Sequence, residues 1–388
     1  MTASTPLTTM RRAALTLALA LAAVPGGPGT AADAPRELAP RPRPWADLGL
    51  GDRQAAVVLL NRFTFGPRPG EVDEVVATGI WEWFDAQLDP GPDPVLDRLL
   101  AAVPVDGLDG HQVARRYRSL AQLQTEAVRA GVLAADGGTD PEAAKAAVRA
   151  FAAARGVLLH SALTDDLASH AMIRLVHGRF QLREVMTELW LDHLCVSLAD
   201  PDVRPWLLDY QTTALRPRAL GRFHELLRAS ARHPAMLFYL DGHDSSAAPG
   251  APTTAAARAA APAGASARTT PPADPASAAK VVAGPNENYA RELLELHTLG
   301  VGGGYAERDV AEVARAFTGW AVAGPRATEY RDPDGAAGGF EFRPDRHDAG
   351  AKRVLGRGLP PGRGVEDGEE VLALLARHPS TARHVCRR

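Results

Sequence analysis

The sequence predicts a mainly α fold, a multi-helix globular domain with long loops and a short β-hairpin near 340–356. Three observations carry this. Apolar residues recur at helical spacing in one segment after another. Pro- and Gly-rich stretches punctuate those segments. No run reads as alternating strands and helices, and neither GxGxxG nor GxxxxGK[ST] occurs. A length of 388 residues leaves ample material for a buried core. A net charge of -3 gives no global electrostatic case for nucleic acid or an anionic membrane as partner. The basic residues are almost all Arg; only Lys145, Lys280 and Lys352 are lysines.

The N-terminus reads as a signal peptide over residues 1–32. Arg11-Arg12 supplies the positive region, and Ala13–Val24 is an apolar run in the range of about 7–15 residues that such leaders use. That run falls short of the ~20 residues a membrane-spanning helix needs, so no transmembrane helix is expected after cleavage. Small residues at Thr30-Ala31-Ala32 place the cut before Asp33. General secretion fits the flanking residues better than twin-arginine export. The expected location is therefore exported: periplasmic, cell-envelope or extracellular. Cys195 and Cys386 would reach an oxidising compartment, where one disulfide is allowed; Cys195 as a small core residue is the competing reading.

Residues 33–44 are Pro- and Arg-rich and read as a flexible tether, with the folded part running from Trp45 to 388. Helices are expected over Asp52–Phe63, from Glu71 to Ala77 and over Ile80–Leu88, the last with Trp81, Phe84 and Leu88 on one face. A long amphipathic helix follows over Val113–Ala135, and an Ala-rich one over Glu142–Leu163. Leu167–Val176 and Leu182–Leu194 are separated by His177-Gly178-Arg179. Pro217–Ala231 and Pro234–Leu240 complete the first half. Residues 241–280 are Ala, Pro, Thr, Ser and Gly with almost no large apolar side chain, and read as a disordered insert. Beyond Trp320 the helical period is lost until Glu366–Ala376, with a strand at Phe340–Phe342 and a loop or hairpin at His347–Gly356. Thr381–Arg388 begins a further helix, and the chain reads as C-terminally truncated.

Asn286–Trp320 concentrates the polar chemistry. Pro285–Gly300 is expected to be one helix, with Asn286, Tyr289, Leu293, Leu296 and His297 on one face. Asn288, Glu292 and Glu295 adjoin it, and Arg291 lies i,i+4 from both Glu287 and Glu295. Gly302–Gly304 reads as a tight turn, lacking the Lys or Ser/Thr pattern of a phosphate loop. The next helix starts at Glu307 and buries Val310, Val313, Ala314 and Phe317. Two further clusters, Glu188–His193 and Asp345–Asp348, carry residue types that bind zinc-like metals, without the HExxH or CxxC spacing that makes such a reading strong.

The same stretch resembles the signature of the DUF1800 family, a bacterial domain of unknown function. Leu59–Leu88, Leu189–Ser197, His233–Asp241, Phe342–Gly356 and His378–Arg388 are similar to further segments of that family. Asp192, Leu194 and Gly242 depart from its usual Asn, Phe and Asn. The resemblance implies an exported, largely helical bacterial protein with no established activity. It also implies association with an exported protein of the alkaline phosphatase–sulfatase kind.

Two functional readings stay open. In one, the protein is a binding or scaffold protein of the cell envelope or extracellular space, and Asn286, Glu287, Asn288, Arg291, Glu295 and Trp320 form a structural polar network. In the other it is a metal-assisted hydrolase, with His193, His297, His347 and Asp348 holding a divalent metal and Glu292 as general base. A membrane-surface role is the weakest, for want of a strongly basic amphipathic helix.

Overall fold

A computed structural model describes residues 41–134, 140–259, 284–323 and 339–387. Among them helices dominate, and the six strands have two or three residues each. The fold is mainly α, as the sequence predicts. The chain divides into two compact units, Met1–Ala102 with His170–Glu188, and Val103–Ser169 with Leu189–Arg388.

In the first unit, Asp52–Phe63, Glu71–Thr78 and Ile80–Leu88 form at the expected places. Leu59, Leu60, Val75, Trp81 and Phe84 are buried. Trp45 meets Trp81 at 6.0 Å and Phe63 meets Phe84 at 5.1 Å between ring centroids. Leu88, expected inside, is exposed. Gln87 is buried in its stead, donating to Arg179 O at 3.3 Å and accepting from Leu182 N at 3.2 Å. The helix Pro94–Leu100 is one that apolar spacing alone misses. It starts where Asp93 accepts from Leu96 N (3.1 Å), with Pro94 in the first turn. At the end of the expected tether, Pro42 O accepts from the Trp81 indole at 2.9 Å.

The second unit corrects several boundaries. The helix expected over 113–135 is split: Gly110–Arg116 ends in Tyr117-Arg118, which pairs in parallel with Leu158-Leu159. Tyr117 is buried and donates to Asp166 at 2.6 Å. Ser119 then restarts a helix, Leu120–Arg129, through a capping box with Gln122. The same strand pairing ends the Ala-rich helix at Ala154, not Leu163. These two helices bury Leu123, Ala127, Val148, Phe151 and Ala152 together.

The helix expected over 217–231 begins only at Phe223. Before it runs a π-helical segment, Tyr210–Leu215, and a 3-10 turn at Arg216–Arg218 that holds Pro217. Phe223–Arg232 and Pro234–Tyr239 meet at His233, whose Nδ1 accepts from Ala235 N at 3.1 Å. His378 does the same before Pro379–Val385, accepting from Ser380 N at 3.2 Å.

Residues 241–259, expected to be disordered, are ordered, and contain the short helix Thr254–Ala259. What holds them is backbone bonding: Ala247 N to Arg346 O at 2.7 Å, Thr254 N to His347 O at 3.0 Å and Ala255 N to Pro344 O at 2.9 Å. Composition reads apolar burial and is blind to such bonds. The rest of that insert, 260–280, lies outside the described residues.

Phe340–Phe342 pairs antiparallel with Trp320–Val322. The hairpin lies slightly later than expected, joining Lys352–Val354 to Arg357–Leu359. Its two turn residues, Leu355 (φ 49°) and Gly356 (φ 81°), both take positive φ, as a type I′ turn requires. Glu366–Ala376 forms with the expected bounds. Both cysteines are exposed and unbonded to each other, so Cys195 is not a core residue. No helix among the described residues is long and apolar enough to cross a membrane.

Candidate functional site

The signature folds as two joined helical segments, not one helix: Glu287–Glu292 is α-helical and Leu293–Thr298 is π-helical. Thr298 marks the wider turn by donating its hydroxyl to Leu293 O at 2.6 Å, five residues back. Tyr289, Leu293 and His297 are buried as expected, but Leu294 replaces Leu296 in the core and Leu296 turns outward. π turns of this kind are enriched at functional sites. Here the inserted geometry directs the C-terminal carbonyls toward histidines.

Asn286 is the N-cap. Its Oδ1 accepts from Asn288 N at 2.8 Å, and its Nδ2 donates to Leu240 O at 3.1 Å and Asp241 O at 2.8 Å. It therefore ties the start of the signature to the end of Pro234–Tyr239. Glu287 and Asn288 are exposed. Arg291 lies 3.7 Å from Glu287, as the spacing predicts, but its second carboxylate is Glu307 (3.2 Å), not Glu295. Glu295 instead accepts from the Tyr305 hydroxyl at 3.1 Å. Glu292 is half-buried, and its carboxyl is pushed up, first by burial and then by the charge of Glu295, with Arg291 opposing.

His193 ends the helix Gln181–His193 and is buried beside Trp190 and Phe223. Its Nε2 lies 3.0 Å from His297 O. A carbonyl only accepts, so Nε2 carries the proton and donates it. His384, 5.8 Å away between ring centroids, does likewise to Leu296 O at 3.0 Å. Two histidines thus satisfy consecutive carbonyls at the end of the π segment, groups that a helix C-terminus leaves without partners. Gly300, at φ 82°, makes room: a Cβ there would sit 2.7 Å from His384 Nδ1.

His347 and Asp348 belong to a different network, with His347, Asp348, Lys352 and Asp367 buried and two arginines at its edge. His347 Nδ1 lies 2.6 Å from Thr318 O, so it too donates to a carbonyl, and its Nε2 faces Asp367 Oδ2 at 3.4 Å. Lys352 is buried with its ammonium on three acceptors: Asp367 Oδ2 at 2.7 Å, Asp348 O at 2.5 Å and Gly350 O at 3.0 Å. That set uses all three ammonium protons. Asp348 takes the Arg315 guanidinium in two bonds of 2.9 and 3.2 Å and the Gly350 N–H at 2.8 Å. Arg363 Nε stands 3.1 Å from Asp367 Oδ1. The segments Arg315–Trp320, His347–Val354 and Glu366–Ala376 are pinned to one another by this network.

Burial alone would raise the Asp348 and Asp367 carboxyls. Hydrogen bonds and charges from Arg315 and Lys352, and from His347 and Lys352, outweigh it and hold both below the usual range. A lowered folded value gives stability that is complete above the ordinary Asp value of about 3.9 and is lost as pH falls through the lower folded value. Asp348→Asn lacks the carboxylate that holds Arg315 and starts from a less stable fold, so its acid unfolding, monitored by circular dichroism, is expected at higher pH; an unchanged midpoint argues against a stabilising Asp348.

The four residues expected to hold a metal do not form one group. Among the described residues no three His, Cys, Asp or Glu side chains come together as a metal site. His193 and His297 meet through a backbone oxygen, whereas His347 and Asp348 face Thr318, Asp367 and Arg315. Sequence reasoning missed Lys352, Asp367, Arg315 and Thr318. Lys352 had one visible signal: it is one of three lysines in an Arg-rich chain. Trp320 is buried against Phe317 and Phe340, at 4.8 and 5.0 Å between centroids, and contributes packing.

A family model described as a protein of unknown function, DUF1800, matches residues 58–388. The chain belongs to the DUF1800 family. The matched span takes in the signature helices, both histidine-closed carbonyls and the Lys352–Asp367 pair. No curated protein and no solved structure matches. For this DUF1800 chain, function has to be argued from its own geometry.

Proposed function

We propose that the protein is an exported binding or scaffold protein of the cell envelope, whose signature residues fasten a helical frame. The observation that supports this reading is where the ligand-type atoms are spent. His193 and His347 each give a ring N–H to a backbone carbonyl, Asp348 is taken by Arg315, and Asp367 by Lys352. Such satisfied buried networks rigidify a fold and fix its geometry. Export follows from the leader, and an exported phosphatase- or sulfatase-like protein is the proposed partner, on the family resemblance.

The competing metal-assisted hydrolase has one point in its favour, the raised carboxyl of Glu292, a direction that suits a general base. Metal analysis separates the two. Protein purified without chelator or His tag is compared with the His297→Ala, His347→Ala double variant. Negligible metal in both is expected. One equivalent in the wild type that disappears in the double variant would overturn the fastening role.

A further inference from the structure

Residues 245–257 cross the second unit as a strap that is held without apolar anchors. Its buried residues are Ser245, Ser246 and Thr254, and none of its alanines or prolines is buried. Each of those three side chains spends its hydroxyl on the backbone of another segment. Ser245 Oγ accepts from Asn286 N at 3.1 Å, Ser246 Oγ accepts from Gly284 N at 3.3 Å, and Thr254 Oγ1 donates to Arg363 O at 2.7 Å. Backbone bonds hold the remainder. Ser246 N donates to Gly284 O at 3.2 Å and Ser245 O accepts from Gly319 N at 3.0 Å, so the strap meets the signature near its start and near its end.

From Ala247 to Ala255 the strap lies along 344–349. Ala247, Thr254 and Ala255 donate to the carbonyls of Arg346, His347 and Pro344, and Ala349 N donates back to Pro252 O at 2.8 Å. Thr253 forms an antiparallel bridge with Asp348. Between these bonds the chain passes through Ala248-Pro249-Gly250, which is exposed. The stretch under the strap also serves Lys352, whose ammonium donates to Asp348 O and Gly350 O. One short run of backbone thus carries the strap and supplies two of the three acceptors of the buried Lys352.

The strap and the helices around it resist opening by different means. Glu307–Ala316 buries Val310, Val313 and Ala314, and Glu366–Ala376 buries Val371, Leu372 and Leu375. Opening either helix returns apolar surface to water. Lifting the strap breaks hydrogen bonds that water replaces at small net cost. Segments with few buried apolar contacts open locally while the core stays folded.

We propose that residues 246–255 are a releasable strap, which lifts off 344–349 while the helices of the second unit stay folded. Its lifting loosens the backbone under it and brings the Lys352 ammonium into reach of solvent. This inference stands apart from the choice between binding protein and hydrolase.

The test is hydrogen–deuterium exchange of the full chain, read by mass spectrometry. Fragments covering 246–257 are expected to exchange at least about tenfold faster than those covering Glu366–Ala376, at a rate that urea below the unfolding transition leaves unchanged. Thr254→Val, which keeps the shape and removes the bond to Arg363 O, is expected to speed the strap about fivefold and leave the helix fragments as they are. Acylation with acetic anhydride reports on Lys352, with the half-exposed Lys145 as internal control. Lys352 is expected to react about fivefold faster in Thr254→Val, and Lys145 at its wild-type rate. The proposal is overturned if strap and helix fragments exchange together in the wild type, a reading that needs no variant. It is overturned equally if Thr254→Val speeds both alike or leaves the strap unmoved, or if Lys352 reacts no faster when the strap does open.

Discussion

Lys352→Met is expected to lower the unfolding free energy by about 3–5 kcal/mol, the usual cost of breaking a buried ion pair by removing one partner. The Lys352 and Asp367 side chains are 0% and 1% exposed, so water cannot replace what the ammonium provides. Met fills the volume of the stem but strands the carbonyls of Asp348 and Gly350 and leaves Asp367 Oδ2 with His347 Nε2 at 3.4 Å as its remaining neighbour. Urea unfolding followed by circular dichroism measures the loss. The Lys352→Met, Asp367→Asn double variant is expected to cost less than the two single changes added together, because the charge that the first change strands is absent. A Lys352→Met loss under about 1 kcal/mol, the range of exposed ion pairs, would mean that the network is not holding the segments.

Trp320→Ala is expected to cost about 3–5 kcal/mol, the range for emptying an aromatic core position. The ring is 1% exposed. It packs edge-on to both Phe317 and Phe340, and Gly368 lies so close that a Cβ there would stand 2.5 Å from Trp320 Cζ2. The contacts span three separate stretches of chain, so local repacking cannot refill the space. Trp320→Phe is expected to cost clearly less. It keeps most ring contacts and removes a buried indole N–H for which no hydrogen-bond acceptor is found among the described residues. Equal losses for Ala and Phe would place the importance of Trp320 in its N–H and not in its packing. The same urea experiment reads both variants.

Helices with an apolar stripe and a punctuating Gly or Pro were legible from the residues. Asp52–Phe63, Ile80–Leu88 and Glu366–Ala376 have the bounds their spacing predicts. What spacing could not show were long-range bonds that override it. Tyr117-Arg118 leaves a helical pattern because a partner strand lies some forty residues on, at Leu158-Leu159. Residues 241–259 order through backbone bonds to Pro344, Arg346 and His347 that no composition records. The π segment is hidden for a related reason. Its sequence fits an α-helix equally well, and the Thr298 hydroxyl on Leu293 O, five residues back, marks the wider turn.

The candidate site was legible in part. Asn286, His193, His297 and His347 are all engaged, buried or capping, as polar residues within apolar helices tend to be. Their grouping was not legible, because distance along the chain says nothing about whether His297 and His347 face each other. Asp367 looked like one more acidic residue in the first turn of a helix, where carboxylates favour the helix dipole. Its role as the acceptor for Lys352 and neighbour of His347 depends on a hairpin that brings Lys352 to it.

The most direct test of the fastening role is the thermal unfolding midpoint of the wild type and of His347→Gln, each with and without excess EDTA. The expected result is a lower midpoint for His347→Gln and no effect of EDTA on either protein. A wild-type midpoint that EDTA lowers to that of His347→Gln, while leaving the variant unmoved, would contradict it and make His347 a metal ligand.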